Sequence, residues 1–517
     1  MSQPRLVFPP HCLSRFYKTI DLTAGVNYTR ILRPPGKLRL ILLAWLAFIL
    51  TFTAACGGGK IPSTTSRPDP TGRPAATPTP TRITLPKTLT PSALPASTLG
   101  IPAQQLQGIT LQFWYTWPEP ARLQNQPDPM QALLDAFNRT NPYGLRVQAT
   151  PFEDYDQLIQ QVETERYKGL PDLVTAYSDQ LAHLDRSSGL LVDLNPYVAD
   201  RQWGLSSQDI QDFYPVFWGQ DASGPQRLGI PLYRSMQVLF YNTSLAGQLG
   251  YHTPPNTPEQ FHTQACDAAR AAKSVKDSGG SGGWVINTDI PTMVSWLSAY
   301  GVSLNPETGK PLQFQGTPAQ KAFAWLRDLF DQGCAWKSPN RYPSLDFAGR
   351  KALFVAGSIT SIPYQEQAFS QENSPDEWTV IPFPSPDGHP AVDTYGPSLG
   401  VFKSTPQKQL AAWLLARWLV SPESQVQWVK SLGVLPVRLS AIQSLSDYAA
   451  RRPQWRAALN LIPFATLEPA DPSWKVVRWV ISDASAQLFS ASFNSSQVPA
   501  LIKTFDQTIK ELDVQIR

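Results

Sequence analysis

The sequence predicts an α/β protein of two lobes, set behind a long targeting segment. Three observations predict it. From Ile109 onward, short apolar strands alternate with amphipathic helices, which argues for α/β layering around a largely parallel sheet. The 409 residues from 109 to 517 exceed what one hydrophobic core organises, so two lobes are expected. Ahead of them lie a cationic, then an apolar, then a proline-rich stretch, none of which reads as part of a packed domain.

The apolar run Leu40–Cys56, LILLAWLAFILTFTAAC, follows Arg33, Lys37 and Arg39 and continues into Gly57-Gly58-Gly59. That is the layout of a secretory signal over residues 1–55 whose next residue, Cys56, becomes a lipid-carrying N-terminus. A retained membrane span is the alternative, but a bilayer core needs about 20 residues and Leu40–Ala55 is shorter. Two departures from the usual pattern stand out: Thr53 occupies a place where Leu is preferred, and Met1–Gly36 is long for a leader. Residues 1–55 hold seven Lys/Arg and one Asp, so the rest of the chain has 37−39=−2 against 44−40=+4 for the whole. Nucleic acid and an anionic membrane surface are therefore not expected partners. Residues 56–108 form the next unit: Gly57–Gly108 carries ten prolines and ten threonines with no Phe, Trp or Tyr. Such a segment cannot offset its ordering entropy by burial, and an extended spacer is expected.

Ile109–Tyr115 reads as the first strand of the folded part. Asp128-Pro129 supplies an N-cap and a proline at the first helical position, Met130, Leu133, Leu134 and Phe137 follow at helical spacing, and Asn141-Pro142-Tyr143-Gly144 ends the helix. Leu145–Thr150 alternates as a strand. A helix with Leu158 and Val162 follows, then a strand over Leu170–Tyr177. Leu239–Asn242, Trp284–Asn287 and Ala352–Val355 are further strand candidates. Ala319–Phe330, Gln409–Leu419 and Ala500–Ile516 are amphipathic helix candidates. No repeat of solenoid or propeller period stands out.

Cys12 falls in the leader and Cys56 takes the lipid, which leaves Cys266 and Cys334. In an oxidising space that pair is most simply a disulfide. Two free buried thiols are the alternative; a metal site is less favoured, since His262 shares a helical spacing with Cys266 but no fourth ligand is evident. Gly396-Pro397-Ser398-Leu399-Gly400 matches G-x-S-x-G, yet no histidine follows His389, so the order of a hydrolase triad cannot be completed. Zinc-protease, phosphate-loop and EF-hand patterns are absent, and Gly279–Gly283 lacks the lysine of a phosphate cradle. No cofactor and no metal are expected. Two carboxylates across a cleft suffice for glycoside hydrolysis, so Glu119, Asp179 and Asp289 keep a surface glycosidase open as an alternative.

In order, these pieces resemble the family 1 extracellular solute-binding proteins, the maltose-binding-protein-like capture subunits of sugar ABC importers. The resemblance is carried by Phe113-Trp114-Tyr115-Thr116-Trp117, Asn141–Val147, Gly169-Leu170-Pro171-Asp172-Leu173-Val174 and Gly189–Leu194. It continues through Gly229-Ile230-Pro231…Leu239-Phe240-Tyr241-Asn242, Pro254–Phe261, Phe354–Ser358 and Gly433–Arg438, covering 109–517. It implies a type II periplasmic-binding-protein-like fold with the ligand cleft between the lobes: lobe 1 about 109–227 and 358–417, lobe 2 about 228–357 and 418–517. It further implies hinge closure on a sugar or oligosaccharide and delivery to permease subunits, by a protein that is not an enzyme. A non-sugar solute such as a phosphodiester or peptide is the alternative within the same fold. The contacts it implies are Trp114, Tyr115, Trp117, Tyr177, Asp179, Tyr233, Arg234, Ser235, Asp289, Trp296, Ser358, Tyr364, Tyr395 and Trp474. Where the family often has an aromatic residue this chain has Ala176, with Tyr177 adjacent. An extracytoplasmic monomer, tethered to the membrane through a lipid on Cys56, is expected.

Overall fold

A computed structural model describes residues 97–116, 127–274, 282–305, 312–340 and 343–516. The leader, Cys56, the spacer up to residue 96, Trp117 and Glu119 lie outside the described residues.

In chain order the strands of the two main sheets are β1 Thr110–Thr116, β2 Arg146–Phe152, β3 Leu173–Ala176, β4 Ile230–Pro231, β5 Ser235–Asn242 and β6 Trp284–Val285. They continue with β7 Ala335–Trp336, β8 Phe354–Ser358, β9 Trp378–Ile381, β10 Val392–Tyr395, β11 Ser398–Val401 and β12 Ala465–Leu467. The helices that matter below are α1 Pro129–Thr140, α2 Tyr155–Glu165, α3 Ser178–Ser188, α4 Pro258–Lys273, α5 Ile290–Ala299 and α6 Thr317–Asp331. After them come α7 Ile362–Gln371, α8 Pro406–Leu419, α9 Pro422–Leu432, α10 Trp474–Leu488 and α11 Val498–Ile516.

Local chemistry explains the first of these. Asp128 caps α1 by accepting from the Met130 amide at 2.9 Å, and Pro129 sits where a missing N–H costs nothing. Met130, Leu133, Leu134 and Phe137 then face the core. Asn141 closes the helix by bonding the Phe137 carbonyl and both backbone groups of Leu145. Gly144, at φ +62°, turns the chain into β2. All four positions of β3 and all eight of β5 are buried, as expected of strands covered on both faces.

The first sheet has the order β2-β1-β3-β11-β4, parallel through β1 to β3 and antiparallel at β11 and β4. The second has the order β12-β10-β5-β8-β6-β7, with β9 pairing farther along β5. The chain crosses between sheets from Pro231 to Ser235, returns from Tyr395 to Ser398, and crosses again before β12. This corrects the expected lobe boundaries. Strands β9 and β10 and most of β8 hydrogen-bond to β5, so 358–395 belongs with the second sheet and not the first. Conversely, α9 packs beside α1 and α8, so 422–432 belongs with the first.

One aromatic core fills the second lobe: Trp296 packs with Phe261, Trp284, Trp325 and Phe383 at centroid distances of 4.8 to 5.8 Å. Cys266 on α4 and Cys334, beyond the end of α6, are joined as a disulfide in the same lobe. His262 lies 3.7 Å from the Cys266 sulfur, but both sulfurs are engaged with one another.

Candidate functional site

The crossing segments are pinned by one buried cation. Arg234 has no exposed surface; its Nε donates to Gln220 Oε1 at 2.9 Å, its Nη1 to the carbonyls of Tyr233 and Pro397 at 2.9 Å, and its Nη2 to Ser398 Oγ at 3.0 Å. Asp221 lies 3.6 Å from Nη2 as counter-charge and accepts from Ser178 and Ser398 hydroxyls at 2.6 and 2.7 Å. Backbone bonds between Leu232 and Pro397 and between Arg234 and Leu435 stitch the crossings together. Gly396 is required here, because a Cβ would fall 2.4 Å from the Tyr233 carbonyl. The G-x-S-x-G match is therefore a hinge: the Ser398 hydroxyl is committed to Asp221 and Arg234.

Tyrosines face the cleft beside this hinge. The rings of Tyr155, which opens α2, and Tyr177, which precedes α3, have centroids 4.6 Å apart. Tyr233 adjoins both from the crossing strand, and burial pushes all three hydroxyls up, Tyr177 to about 12. Asp179, in the first turn of α3, is pushed up to about 7, chiefly by burial; the Arg478 charge opposes the rise and Glu468 adds to it. Arg478 lies on α10 of the second lobe, ion-paired with Glu468, so the two lobes face one another across Asp179. At the rim Asp156 and Lys475 form an interlobe ion pair at 3.1 Å.

The second-lobe wall continues from Tyr395, whose hydroxyl is 3.2 Å from Gln237 Oε1. Gln237 Nε2 donates to Thr292 and to both oxygens of Asp289, which also accepts from Asn287 and caps α5 through the Thr292 amide. Burial raises the Asp289 pKa despite these bonds. Ser235 and Ser358 hydroxyls are 2.7 Å apart. Asp393 is wholly buried, with the Glu468 carboxyl as its side-chain hydrogen-bond neighbour. Burial first, then the Glu468 charge, raises its pKa well above the carboxylate range, which favours the protonated acid. Asp289, Ser358 and Tyr364 also border a cavity of about 610 Å³ that runs beneath α7.

The expected contacts thus divide. Tyr177, Asp179, Tyr233, Ser235, Asp289, Ser358, Tyr364 and Tyr395 come together along the cleft and its cavity. Trp114 is half-buried against Phe152, with ring centroids 5.4 Å apart. Tyr115 points the other way, into the first-lobe core, where its hydroxyl donates to Asp128. Trp296 is a core residue, for the packing reason given above. Trp474 is buried in the second-lobe core and uses its indole N–H to hold Glu468 Oε2 at 3.0 Å. Arg234 is a hinge pin, since its donors are spent on the protein. Asp172 and Asn242 are scaffold: the first accepts from the Gln112 amide at 2.9 Å, and the second donates to Asp376 Oδ2 at 2.8 Å and accepts from the Leu245 amide. Sequence reasoning missed Tyr155, Gln237, Asp393, Glu468 and Arg478. Gln237 carried a signal, as a polar residue at a central position of an otherwise apolar buried strand.

Two lobes on a pinned hinge, with ring faces and hydrogen-bonding groups turned toward the space between them, form an apparatus for holding a solute and releasing it. The chain belongs to the bacterial extracellular solute-binding proteins, whose family model matches residues 132–456. It therefore works outside the cytoplasm. A binding protein of Brucella abortus (strain 2308) is 22% identical over 361 residues, covering 68% of this chain and 83% of its own length. Among solved structures, the sugar-binding protein MalE from Xanthomonas citri superposes with a TM-score of 0.65 at 20% identity, covering 78% of this chain and 98% of that one. UgpB from Mycobacterium tuberculosis, in complex with glycerophosphocholine, gives a TM-score of 0.63 at 20% identity, covering 79% and 99%.

Proposed function

We propose that this protein captures a sugar or oligosaccharide by closing its lobes and delivers it to the permease of an ABC importer. The observation that carries the reading is the cleft itself: Tyr155, Tyr177, Tyr233 and Tyr395 gather where the lobes meet, beside the amide Gln237 and the hydroxyls of Ser235 and Ser358. Tyrosine rings offer flat apolar faces for the C–H side of a pyranose, and neutral amides and hydroxyls pair with its OH groups. The MalE-like fold supports the same reading. A phosphodiester solute fits less well, because among the described residues Arg478 is the cleft arginine not spent on the hinge, and it is already paired with Glu468. Capture and release need no bond chemistry, so the protein acts as a receptor, not an enzyme. A lipid on Cys56 and the proline/threonine spacer would hold a monomeric receptor near its transporter and raise its effective concentration there. Among the described residues no helix is long and apolar enough to cross a membrane.

A thermal-shift screen of protein lacking residues 1–56 against sugars, glycerophosphodiesters and peptides tests this. At 100 times Kd a bound ligand stabilises by about 2.7 kcal/mol, an easily read shift. Stabilisation by a sugar without its breakdown is the expected result. A shift with glycerophosphodiesters or peptides alone, or release of monosaccharide from an oligosaccharide, would overturn it.

A further inference from the structure

The seam where the lobes meet carries charge in two settings. Along its rim, opposite charges pair in contact with water: Asp156 with Lys475 at 3.1 Å, and Arg186 with Asp471 at 3.9 Å. Asp156 and Arg186 belong to α2 and α3 of the first lobe, Lys475 to α10 of the second, and Asp471 lies just ahead of α10. Aspartate, lysine and arginine in such solvated pairs keep their charges between pH 5 and 8. Asp179 is set deeper. It stands in the first turn of α3, is 6% exposed, and faces α10 across the seam.

Among the described residues the second lobe brings two charges to Asp179, Arg478 and Glu468, and they are already paired with one another. Asp393 on β10 lies beyond Arg478, and Tyr177 flanks Asp179 in its own lobe; burial keeps both neutral. Within the first lobe the adjacent Ser178 is bound to Asp221, whose counter-charge Arg234 is spent on the hinge. His183, farther along α3, pairs with Glu163 of the same lobe, so opening the seam leaves that pair intact. Only the backbone amides of Asp179 and Gln180 favour the Asp179 anion from its own side. The second lobe therefore covers this carboxyl without supplying a counter-ion of its own, and burial pushes it up to about 7. When the lobes part, α10 withdraws, water returns, and the carboxyl moves back toward its ordinary 3.8.

We propose that closing the lobes takes up a proton at Asp179, so that falling pH favours the closed, solute-holding form and rising pH the open, releasing one. This rests on lobe closure and not on which solute is bound. The closed form carries the proton and the open form does not, so between the two values the closed-to-open ratio falls by at most about tenfold per pH unit. Energy transfer between dyes on Gln160→Cys in the first lobe and Lys503→Cys in the second reads that ratio. Both positions are exposed, and in protein lacking residues 1–56 the native Cys266 and Cys334 are bonded to one another. Without any solute, the ratio should fall roughly tenfold or more from pH 5 to pH 8 and level off above that. Asp179→Asn, which mimics the protonated carboxyl, should hold the parent's pH 5 value throughout. A parent profile flat with pH, while a sugar from the screen above still shortens the distance, would overturn the proton coupling alone. An Asp179→Asn variant that keeps the parent's pH profile would overturn it too. A distance that neither pH nor any solute changes would overturn lobe closure, and this inference with it.

Discussion

Arg234→Met should destabilise this protein more than any substitution in the cleft. The side chain has no exposed surface and donates to Gln220, the Tyr233 and Pro397 carbonyls and Ser398, all at 2.9 to 3.0 Å. Methionine keeps part of the apolar stem but removes every one of these donors and leaves Asp221 buried with the Ser178 and Ser398 hydroxyls and the more distant charge of Arg227. Removing one partner of a buried pair costs about 3–5 kcal/mol, because the remaining charge loses its compensation. The two backbone carbonyls deprived of donors push the loss toward the upper end of that range. Urea unfolding followed by circular dichroism reads the change as a fall in midpoint. Coupling between close charged groups runs to about 0.5–3 kcal/mol, so Arg234→Met with Asp221→Asn should recover part of the loss by removing the stranded charge. A single variant within about 1 kcal/mol of the parent would refute the claim that this guanidinium holds the hinge, against a typical surface effect of about 0.5 kcal/mol. A double variant as damaged as the sum of both singles would refute the role assigned to Asp221.

Three further outcomes follow from the same geometry. Reduction of Cys266–Cys334, which are 68 residues apart, should lower the melting temperature of the second lobe; the chain-entropy model gives about 4 kcal/mol for a loop of this size. Asp179 binds its proton more tightly in the folded protein, at about 7 against 3.8, so its contribution to stability falls as pH rises from 4 to 7. Asp179→Asn should flatten that part of the pH–stability profile and raise stability at pH 7.5, and an unchanged slope would count against the buried placement. Tyr177→Ala should weaken sugar binding by about tenfold or more while Tyr177→Phe retains most of it, since ring stacking and burial together are worth about 1–3 kcal/mol; calorimetry on both variants separates ring from hydroxyl.

How far the sequence could be read depended on whether the deciding contacts were local. Helix 129–140 was legible to the residue, because Asp128, Pro129, the apolar period and Asn141 are all within one or two turns of what they control. Strand β5 was legible as a hinge element, yet which of its neighbours would share its sheet was not. Hydrogen-bond partners across a sheet leave no local trace, and β9 and β10 were accordingly placed in the wrong lobe. Trp114 and Tyr115 show the limit of alternation: it separates two faces without saying which one meets the core. Trp296 and Trp474 show the limit of composition, since a large indole fills a core as readily as it lines a site. Arg478 and Glu468 face Asp179 only because α10 folds back against α3, and nothing near them in sequence announces it.

Hinge and cleft hold their buried polar groups in different ways. At the hinge, Arg234, Asp221 and Ser398 complete one another's hydrogen bonds, and the glycine at 396 is needed simply to let the strands approach. A few residues away burial dominates instead: Asp179 and Asp393 are both driven toward their neutral forms, Asp393 beside the Glu468 carboxyl. Unpartnered polar atoms are not peculiar to the cleft, since the indole N–H groups of Trp284 and Trp296 in the second-lobe core also lack partners among the described residues. What sets the cleft apart is buried carboxyl groups held near neutrality, where a change of surroundings changes their charge. The saturated hinge holds the crossing segments in place, so the closed form depends on what the cleft encloses. A ligand that covered the tyrosine faces only when the lobes meet would shift the balance toward closure by that difference alone.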